Sequence, residues 1–158
     1  MDITVKRFER SDIAAVLGLL REFAEYEKLR QFLEVTEERI DTAFFADGST
    51  VEGLVALAND RVVGYAFFFP NFASFRGQRG FYLEDIYVTE SERGKGVGEA
   101  MLRELARLAK ERAYERIDFV VLDWNTTAIK FYKKLGAEMD HSERHFKFTD
   151  DAFQSLAK

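Results

Sequence analysis

The apolar residues of the first third of the chain repeat at the spacing of a strand and then at the spacing of helices. Residues 3–8 alternate as a short β-strand, and a helix that starts near Ser11 keeps one apolar face over residues 13–24. A second helix begins at Thr36, whose hydroxyl suits a helix N-terminus, and runs to about Phe45. The pattern therefore predicts strand, helix, helix.

The middle of the chain carries three predicted strands. Val51–Ala58 and Val62–Phe69 form a hairpin around a short polar turn, and Pro70 ends the second strand. Residues 71–80 show little periodicity, so they are predicted as a loop that carries aromatic side chains. The third strand, Tyr82–Val88, leads into a glycine-rich turn.

The last part of the chain alternates helices and strands. The periodicity predicts a helix over Glu99–Arg112, a nearly all-apolar strand over Arg116–Leu122 and a helix over Asn125–Leu135. A final strand is expected around residues 146–148, followed by a short helix within Asp151–Lys158.

Composition narrows the class of protein. The 158 residues are 47% hydrophobic, which is enough for a core without a metal or disulfide, and no linker composition interrupts them. We therefore expect one domain over residues 1–158. The absence of Cys excludes a cysteine nucleophile, a thiolate zinc site or a disulfide, and we expect no metal.

Charge and hydropathy give further expectations about partners and location. The net charge is -5 and the basic residues are dispersed, which argues against a nucleic-acid partner. No leader pattern and no apolar run near the length of a membrane span are visible, so we expect no membrane partner and a cytoplasmic location. The mildly acidic surface suits a cationic substrate.

The turn after the third strand has the composition of an anion-binding site. Its sequence is Arg93-Gly94-Lys95-Gly96-Val97-Gly98, and a helix follows. Glycines at every second position let backbone N–H groups converge on a ligand, while the helix N-terminus and two basic side chains add positive charge. A phosphate or pyrophosphate is expected. A Walker loop would need a glycine at Thr89, and a dinucleotide-binding loop would need one at Glu99.

Two blocks of sequence resemble the GNAT acetyltransferases. Residues 93–98 match Arg/Gln-x-x-Gly-x-Gly/Ala, the acetyl-CoA loop of that family. Residues 124–137 match its second block, Trp/Asn-x-x-Ala-x-x-Phe-Tyr-x-x-x-Gly-Phe/Ala, and the predicted order of elements is also that of the family. The resemblance covers essentially the whole chain.

This resemblance implies an α/β (α+β) fold with a mixed, mostly antiparallel sheet, a splayed parallel strand pair and flanking helices. It implies acetyl-CoA as co-substrate, held partly by unpaired backbone groups of the third middle strand. Asn125 is also a good helix cap, and that interpretation stays open beside cofactor contact. The implied cofactor-binding residues are Ile86, Tyr87, Val88, Arg93, Gly94, Lys95, Gly96, Val97, Gly98, Asn125 and Ala128.

Within the family, residues 82–88 and 121–125 look like the spermidine/spermine acetyltransferase group, especially its diamine or thialysine branch. Tyr26 and Glu27 resemble the Tyr-Glu pair that this group turns toward its amine, so they are expected to bind substrate. Residues 71–75 lack the acidic residue that the spermidine/spermine enzymes carry there, which argues against a long polyamine.

The resemblance also assigns catalytic roles. Tyr132 would be the general acid, or at least a hydrogen-bond donor to the departing sulfur. Glu84 would accept the proton of the amine through water and could also attract a cationic substrate. Strand alternation places Glu84 and Asp85 on opposite faces, so only one of them should line the site. The N–H of Val88 is the expected oxyanion donor.

The resulting hypothesis is an acetyl-CoA-dependent N-acetyltransferase that modifies a primary amine of a small cationic metabolite by direct transfer in a ternary complex. The substrate would be a diamine, a polyamine or a thialysine-like or lysine-like compound, and the enzyme is expected to form homodimers. Two alternatives stay open: acetylation of a protein N-terminus or another amine, and a CoA-binding module without turnover.

Overall fold

A computed structural model describes residues 2–158. The chain forms two compact units, a larger one that ends at Val120 and a smaller one, Val121–Lys158. The expectation of one domain over residues 1–158 stays a prediction. The larger unit contains β1 (Ile3–Arg7), α1 (Ile13–Tyr26), α2 (Glu37–Phe45), β2 (Glu52–Ala58), β3 (Arg61–Ala73), β4 (Gln78–Val88), α3 (Val97–Glu111) and β5 (Arg116–Asp118), and the smaller contains α4 (Thr126–Lys134) and α5 (Asp150–Leu156).

The strands of the larger unit form one sheet in the order β1-β2-β3-β4-β5. The first three neighbouring pairs are antiparallel, and β4 and β5 are parallel. The predicted hairpin between β2 and β3 is confirmed, and its turn residues Asn59 and Asp60 have φ values of 50° and 61°. Such a left-handed pair matches the twist of the flanking strands. The predicted mixed, mostly antiparallel sheet is confirmed.

The predicted end of β3 at Pro70 is wrong. The strand continues to Ala73, and β4 already begins at Gln78, so only residues 74–77 form the loop. Pro70 lies beyond Phe68, the last residue of β3 that pairs with β2. At that point β3 is an edge on one side, where a missing N–H is tolerated.

Strand β5 is shorter than its apolar sequence predicts. It pairs with β4 only through Arg116, Ile117 and Asp118, while β4 runs six residues beyond its last partner, Tyr82. The strands approach closely at Gly80, where an added Cβ would lie 2.3 Å from the carbonyl oxygen of Arg116. Strands β4 and β5 therefore lie close together at Gly80 and are no longer paired after Asp118, as expected for a splayed pair.

The two faces of the sheet bury different helices. Helix α3 covers one face through Val97, Met101 and Leu105, and α1 covers the other through Val16 and Leu17. The predicted helices α1, α2 and α3 are confirmed, and each uses the apolar stripe that its sequence shows.

A β-bulge in β4 changes which side chains face which helix. Phe68 pairs with Leu83 and the preceding Phe67 pairs with Asp85, so Glu84 has no opposite residue. Leu83 packs on the α3 side, whereas Tyr87, four residues later, packs on the α1 side. The expectation of simple alternation through Glu84 and Asp85 is therefore wrong, because the bulge inserts one residue.

In the smaller unit, the predictions of helices α4 and α5 are confirmed, and the prediction of a final strand is wrong. Residues 146–148 are in neither a helix nor a strand. Phe146 is 88% exposed and Phe148 is 66% exposed. An alternating pattern favours an extended chain, but a strand also needs a neighbour with which to form hydrogen bonds.

Candidate functional site

The glycine-rich loop between β4 and α3 has the geometry of an anion cradle. Gly94 has φ +74° and Gly96 has φ +86°, conformations that residues with a side chain rarely adopt. Gly96 is the N-cap of α3 and supplies no side-chain cap for the helix. The first N–H groups of this helix are therefore available to a ligand, and the positive end of its dipole adds to them.

The two basic side chains of the loop have protein partners. Lys95 Nζ lies 3.0 Å from Oε2 of Glu92, a carboxylate that is 9% exposed and also lies 3.4 Å from Nη2 of Arg61. Arg93 Nε donates to the carbonyl oxygen of Val88 at 3.0 Å. The expectation that both charges hold a phosphate stays a prediction, and the backbone is the part of the loop already shaped for one.

The open edge of β4 presents backbone groups in alternation. Thr89 N–H donates to the carbonyl of Val63 at 2.9 Å, so these two residues form a hydrogen-bonded pair across β3 and β4. In an antiparallel ladder the next pair inward does not exchange hydrogen bonds. The N–H and C=O of Val88, and two residues earlier those of Ile86, therefore point away from β3. Tyr87 is paired with Tyr65 in the intervening position.

Glu84 and Asp85 of β4 form a carboxylate cluster with Glu27, since both other carboxylates act electrostatically on Asp85. The hydroxyl of Tyr65, which is fully buried, donates to Oδ2 of Asp85 at 3.2 Å. The pKa of Asp85 is raised to about 7, mainly by burial and also by the negative charges of Glu84 and Glu27, while the hydrogen bond from Tyr65 opposes the rise. Burial also raises the pKa of Glu27.

The members of the carboxylate cluster differ in position. Glu84 is the exposed residue of the bulge, Asp85 is half-buried, and Glu27 is the half-buried residue that follows α1. Tyr82, two residues before Glu84, has a raised pKa because of burial and the nearby charges of Glu84 and Asp118. Asp85 is the site residue that the sequence did not reveal. The acidic pair was visible, but the bulge that turns Asp85 toward Tyr65 was not.

A pocket of about 680 Å³ lies between the end of α1 and the chain that follows β4. Tyr26, the last residue of α1, forms part of its wall, and the guanidinium of Arg93 lies 4.6 Å from the centre of the Tyr26 ring. Three carboxylates and one guanidinium border the pocket, so its net charge is negative. The lining residues are Glu22, Glu25, Tyr26, Tyr87, Thr89, Glu90, Ser91 and Arg93.

The smaller unit holds the remaining predicted site residues. Asn125 is buried, and its Oδ1 accepts from the N–H of Ala128 at 3.3 Å, so it caps α4 as the alternative interpretation expected. Tyr132 lies half-buried on the same helix, with its ring centre 5.2 Å from that of Phe131. Gly136 follows the helix with φ +98°, which suits a helix C-terminus.

Within residues 2–158, no helix is long and apolar enough to cross a membrane. In the same described part of the chain, no group of three or more His, Asp or Glu side chains is arranged to hold a metal ion.

The mixed sheet, the parted strand pair and the anion cradle at the start of α3 together define the GNAT class of acyltransferases. The sequence model of the acetyltransferase (GNAT) family matches residues 14–137, so the chain belongs to this family. The match crosses the boundary between the two units. The protein is an N-acetyltransferase.

Its curated relatives act on amines. A thialysine N-epsilon-acetyltransferase of Bos taurus is 32% identical over 167 aligned residues, which cover 98% of this chain and 97% of the relative. An L-ornithine N5-acetyltransferase of Arabidopsis thaliana is 42% identical over 101 residues, covering 63% of this chain and 44% of that protein.

A solved structure supports the fold. An integron cassette protein from the mobile metagenome of V. cholerae superposes with a TM-score of 0.82 at 26% identity, covering 100% of this chain and 99% of that one. An aminoglycoside acetyltransferase from a soil metagenome has a TM-score of 0.78 at 17% identity, which shows the fold alone.

Proposed function

We propose that this enzyme transfers the acetyl group of acetyl-CoA to a primary amine of a small cationic metabolite, directly and within a ternary complex. The observation that carries the proposal is the carboxylate cluster that Glu27 forms with Glu84 and Asp85 of β4. The three carboxyl groups, of which Glu27 and Asp85 are half-buried, attract an ammonium and can receive its proton. The names of the relatives, which act on thialysine and on ornithine, support a diamine or lysine-like substrate.

Acetyl-CoA is the co-substrate of GNAT acetyltransferases, and the cradle at the start of α3 fits its pyrophosphate. Gly94, Gly96 and the first turn of α3 would bind the phosphates, while Ile86 and Val88 would hold the pantetheine arm along the strand edge. When bound, the co-substrate supplies an activated acetyl thioester. The further residues proposed for its site are Tyr87, Arg93, Lys95, Val97, Gly98, Asn125 and Ala128.

The amine must lose a proton before it can attack. Glu84 is the proposed acceptor of this proton, through water. Asp85 is a second candidate because a carboxylate with a pKa of about 7 is better matched to this task near neutral pH. Tyr26 and Glu27 would hold the cationic body of the substrate.

The remaining roles concern the thioester end. Val88 N–H points to the open side of β4, where it could donate to a carbonyl oxygen that gains negative charge. Tyr132 would donate a hydrogen bond to the leaving sulfur. A tyrosine has a reference pKa of about 10 and a thiol of about 8.5, so hydrogen bonding is favoured over complete proton transfer.

The proposal is tested by initial-rate thiol release from acetyl-CoA with putrescine, spermidine, lysine, ornithine, thialysine and a peptide amine. We expect turnover with one class of small diamine or amino acid, and little with spermidine. Turnover with the peptide alone would replace the substrate by a protein N-terminus. No turnover with any amine, while acetyl-CoA still raises the melting temperature, would favour a CoA-binding module.

We also propose a cytoplasmic homodimer. Apolar side chains in the hairpin between β3 and β4 support an interface, with Phe72 62% exposed and Phe75 fully exposed. Light scattering coupled to size-exclusion chromatography should give about twice the chain mass of 18.3 kDa. A mass of one chain across the concentration range would reject the dimer.

A further inference from the structure

The side chain of Arg93 leaves its loop and contacts Tyr26, which is proposed to bind the amine, as well as the end of β4. Its guanidinium carbon is 4.6 Å from the centre of the Tyr26 ring and 5.2 Å from that of Tyr87. Its Nε donates to the Val88 carbonyl at 3.0 Å. One arginine therefore touches the end of α1, the end of β4 and the carbonyl of the proposed oxyanion donor.

The surroundings hold these partners in place. The Tyr87 ring stacks on Phe23 of α1 with centres 5.0 Å apart, and the Thr89 hydroxyl donates to Oε2 of Glu22 at 2.8 Å. Tyr87 is buried, whereas Tyr26 is 36% exposed at the last position of α1. Of the two tyrosine rings that Arg93 contacts, Tyr26 is thus the more exposed one.

We propose that Arg93 is a positioning residue for the amine site, where it stacks on Tyr26 and fixes that ring at the end of α1 while its Nε donates to the carbonyl of Val88. The guanidinium suits this task because it is planar and can stack on a ring while it donates in its own plane. The inference rests on the proposed function, in which Tyr26 and Glu27 bind the amine.

A positioning role predicts effects on the amine that remain when the cofactor site is full. At saturating acetyl-CoA, Arg93→Gln should raise KM for the best amine about tenfold. The reason is that a stacked arginine contact contributes up to roughly a factor of ten in affinity. Arg93→Lys should rescue only a small part, since it keeps the charge but loses the planar donor. Arg103→Gln is the matched control: it removes an arginine of α3 that forms an ion pair with Glu99, and it should leave the amine KM within about twofold.

A double-mutant cycle identifies Tyr26 as the target of Arg93. Tyr26→Phe keeps the ring and should stay within about threefold of the wild type, whereas Tyr26→Leu should match Arg93→Gln. The Arg93→Gln/Tyr26→Leu double variant should be no worse than either single variant within about twofold, because both changes remove one interaction. An unchanged amine KM in Arg93→Gln, or effects that multiply in the double variant, would overturn the inference.

A second measurement separates this inference from the substrate proposal. In protein with 13C-labelled tyrosine, Arg93→Gln should shift the Tyr26 ring resonances toward those of a solvent-exposed tyrosine and leave Tyr82 unmoved. This readout needs no turnover, so an enzyme inactive on all the amines tested would reject the proposed function and still report on Arg93. Unshifted Tyr26 resonances would reject the positioning role even in an active enzyme.

Discussion

The glycine-rich loop, which follows β4, and the carboxylate cluster, which includes Glu84 and Asp85 of β4, are built in different ways. The loop is shaped by backbone, through positive φ values at Gly94 and Gly96 and an uncapped helix start. The cluster is shaped by side chains that arrive from α1 and from a bulge in β4. The shape of a site formed by backbone groups depends on which residues can adopt the required φ and ψ values. The protonation of a site formed by carboxylates depends on their burial and on the charges near each of them.

The largest expected effect is on the chemical step, without a change in the binding of either substrate. Tyr132→Phe removes one hydroxyl and should lower kcat about a hundredfold, the usual scale for loss of a proton or hydrogen-bond donor at a leaving group. KM for acetyl-CoA and for the amine should each change less than about threefold. Steady-state kinetics with both substrates varied gives all three values, and an unchanged kcat would remove Tyr132 from the mechanism.

The next largest effect comes from a substitution that distorts only the glycine-rich loop. Gly96→Val forces a β-branched residue into φ +86°, so the loop must shift, and KM for acetyl-CoA should rise about 30-fold. The amine KM at saturating acetyl-CoA should change little. Gly48→Val is the matched control, because Gly48 has φ +80° in a turn that carries none of the proposed site residues.

Both glycine variants should lose comparable thermal stability, since the backbone strain is similar. Only Gly96→Val should weaken acetyl-CoA binding in calorimetry. Equal binding by the two variants would mean that the cradle does not hold the cofactor.

A third substitution tests the charges of the carboxylate cluster. Asp85→Asn should lower kcat/KM for the amine about tenfold at pH 8 and remove the part of the pH profile that rises through about 7, where the wild-type carboxylate loses its proton. Glu84→Gln is the comparison: if it removes this rise and Asp85→Asn does not, the titrating group has been misassigned. Rates measured from pH 5.5 to 9 distinguish the two carboxylates.

The same substitution has a stability signature of defined sign. Folding raises the pKa of Asp85 from its ordinary value of 3.8 to about 7, so the native state retains the proton better than the unfolded chain. The resulting stabilisation is complete below about 3.8 and is lost as pH rises through 7. Asp85→Asn should therefore gain melting temperature relative to the wild type as pH rises from 5 to 8. A constant difference would mean that the carboxyl group titrates normally.

The smallest effect concerns substrate anchoring. Glu27→Gln keeps the shape of a half-buried side chain and removes its charge, so KM for a diamine should rise about fivefold with little change in kcat. A monoamine of equal length should show almost no change, which makes the pair of substrates its own control. Equal effects on both would place Glu27 outside the contact with the second ammonium.

The glycine-rich loop was largely predictable from the sequence, and the carboxylate cluster was not. The glycines at 94 and 96 predict a positive φ from the residue type alone. Thr36 and Asn125 likewise predict the helix caps that the structure contains. The roles of Glu84 and Asp85 depended on strand alternation, which the unseen bulge breaks. The side chain of Arg93 has a partner at Tyr26, 67 residues earlier, and local spacing carries no trace of such a contact.

The sequence by itself determined the family, the order of most elements and the shape of the anion cradle, because these depend on short-range periodicity and on the conformational freedom of particular residues. Only the tertiary structure decided where β3 and β5 end, which face Asp85 takes and how far its pKa rises. Strand length depends on the availability of a hydrogen-bonding neighbour, and a carboxylate pKa depends on burial and on charges brought from distant parts of the chain.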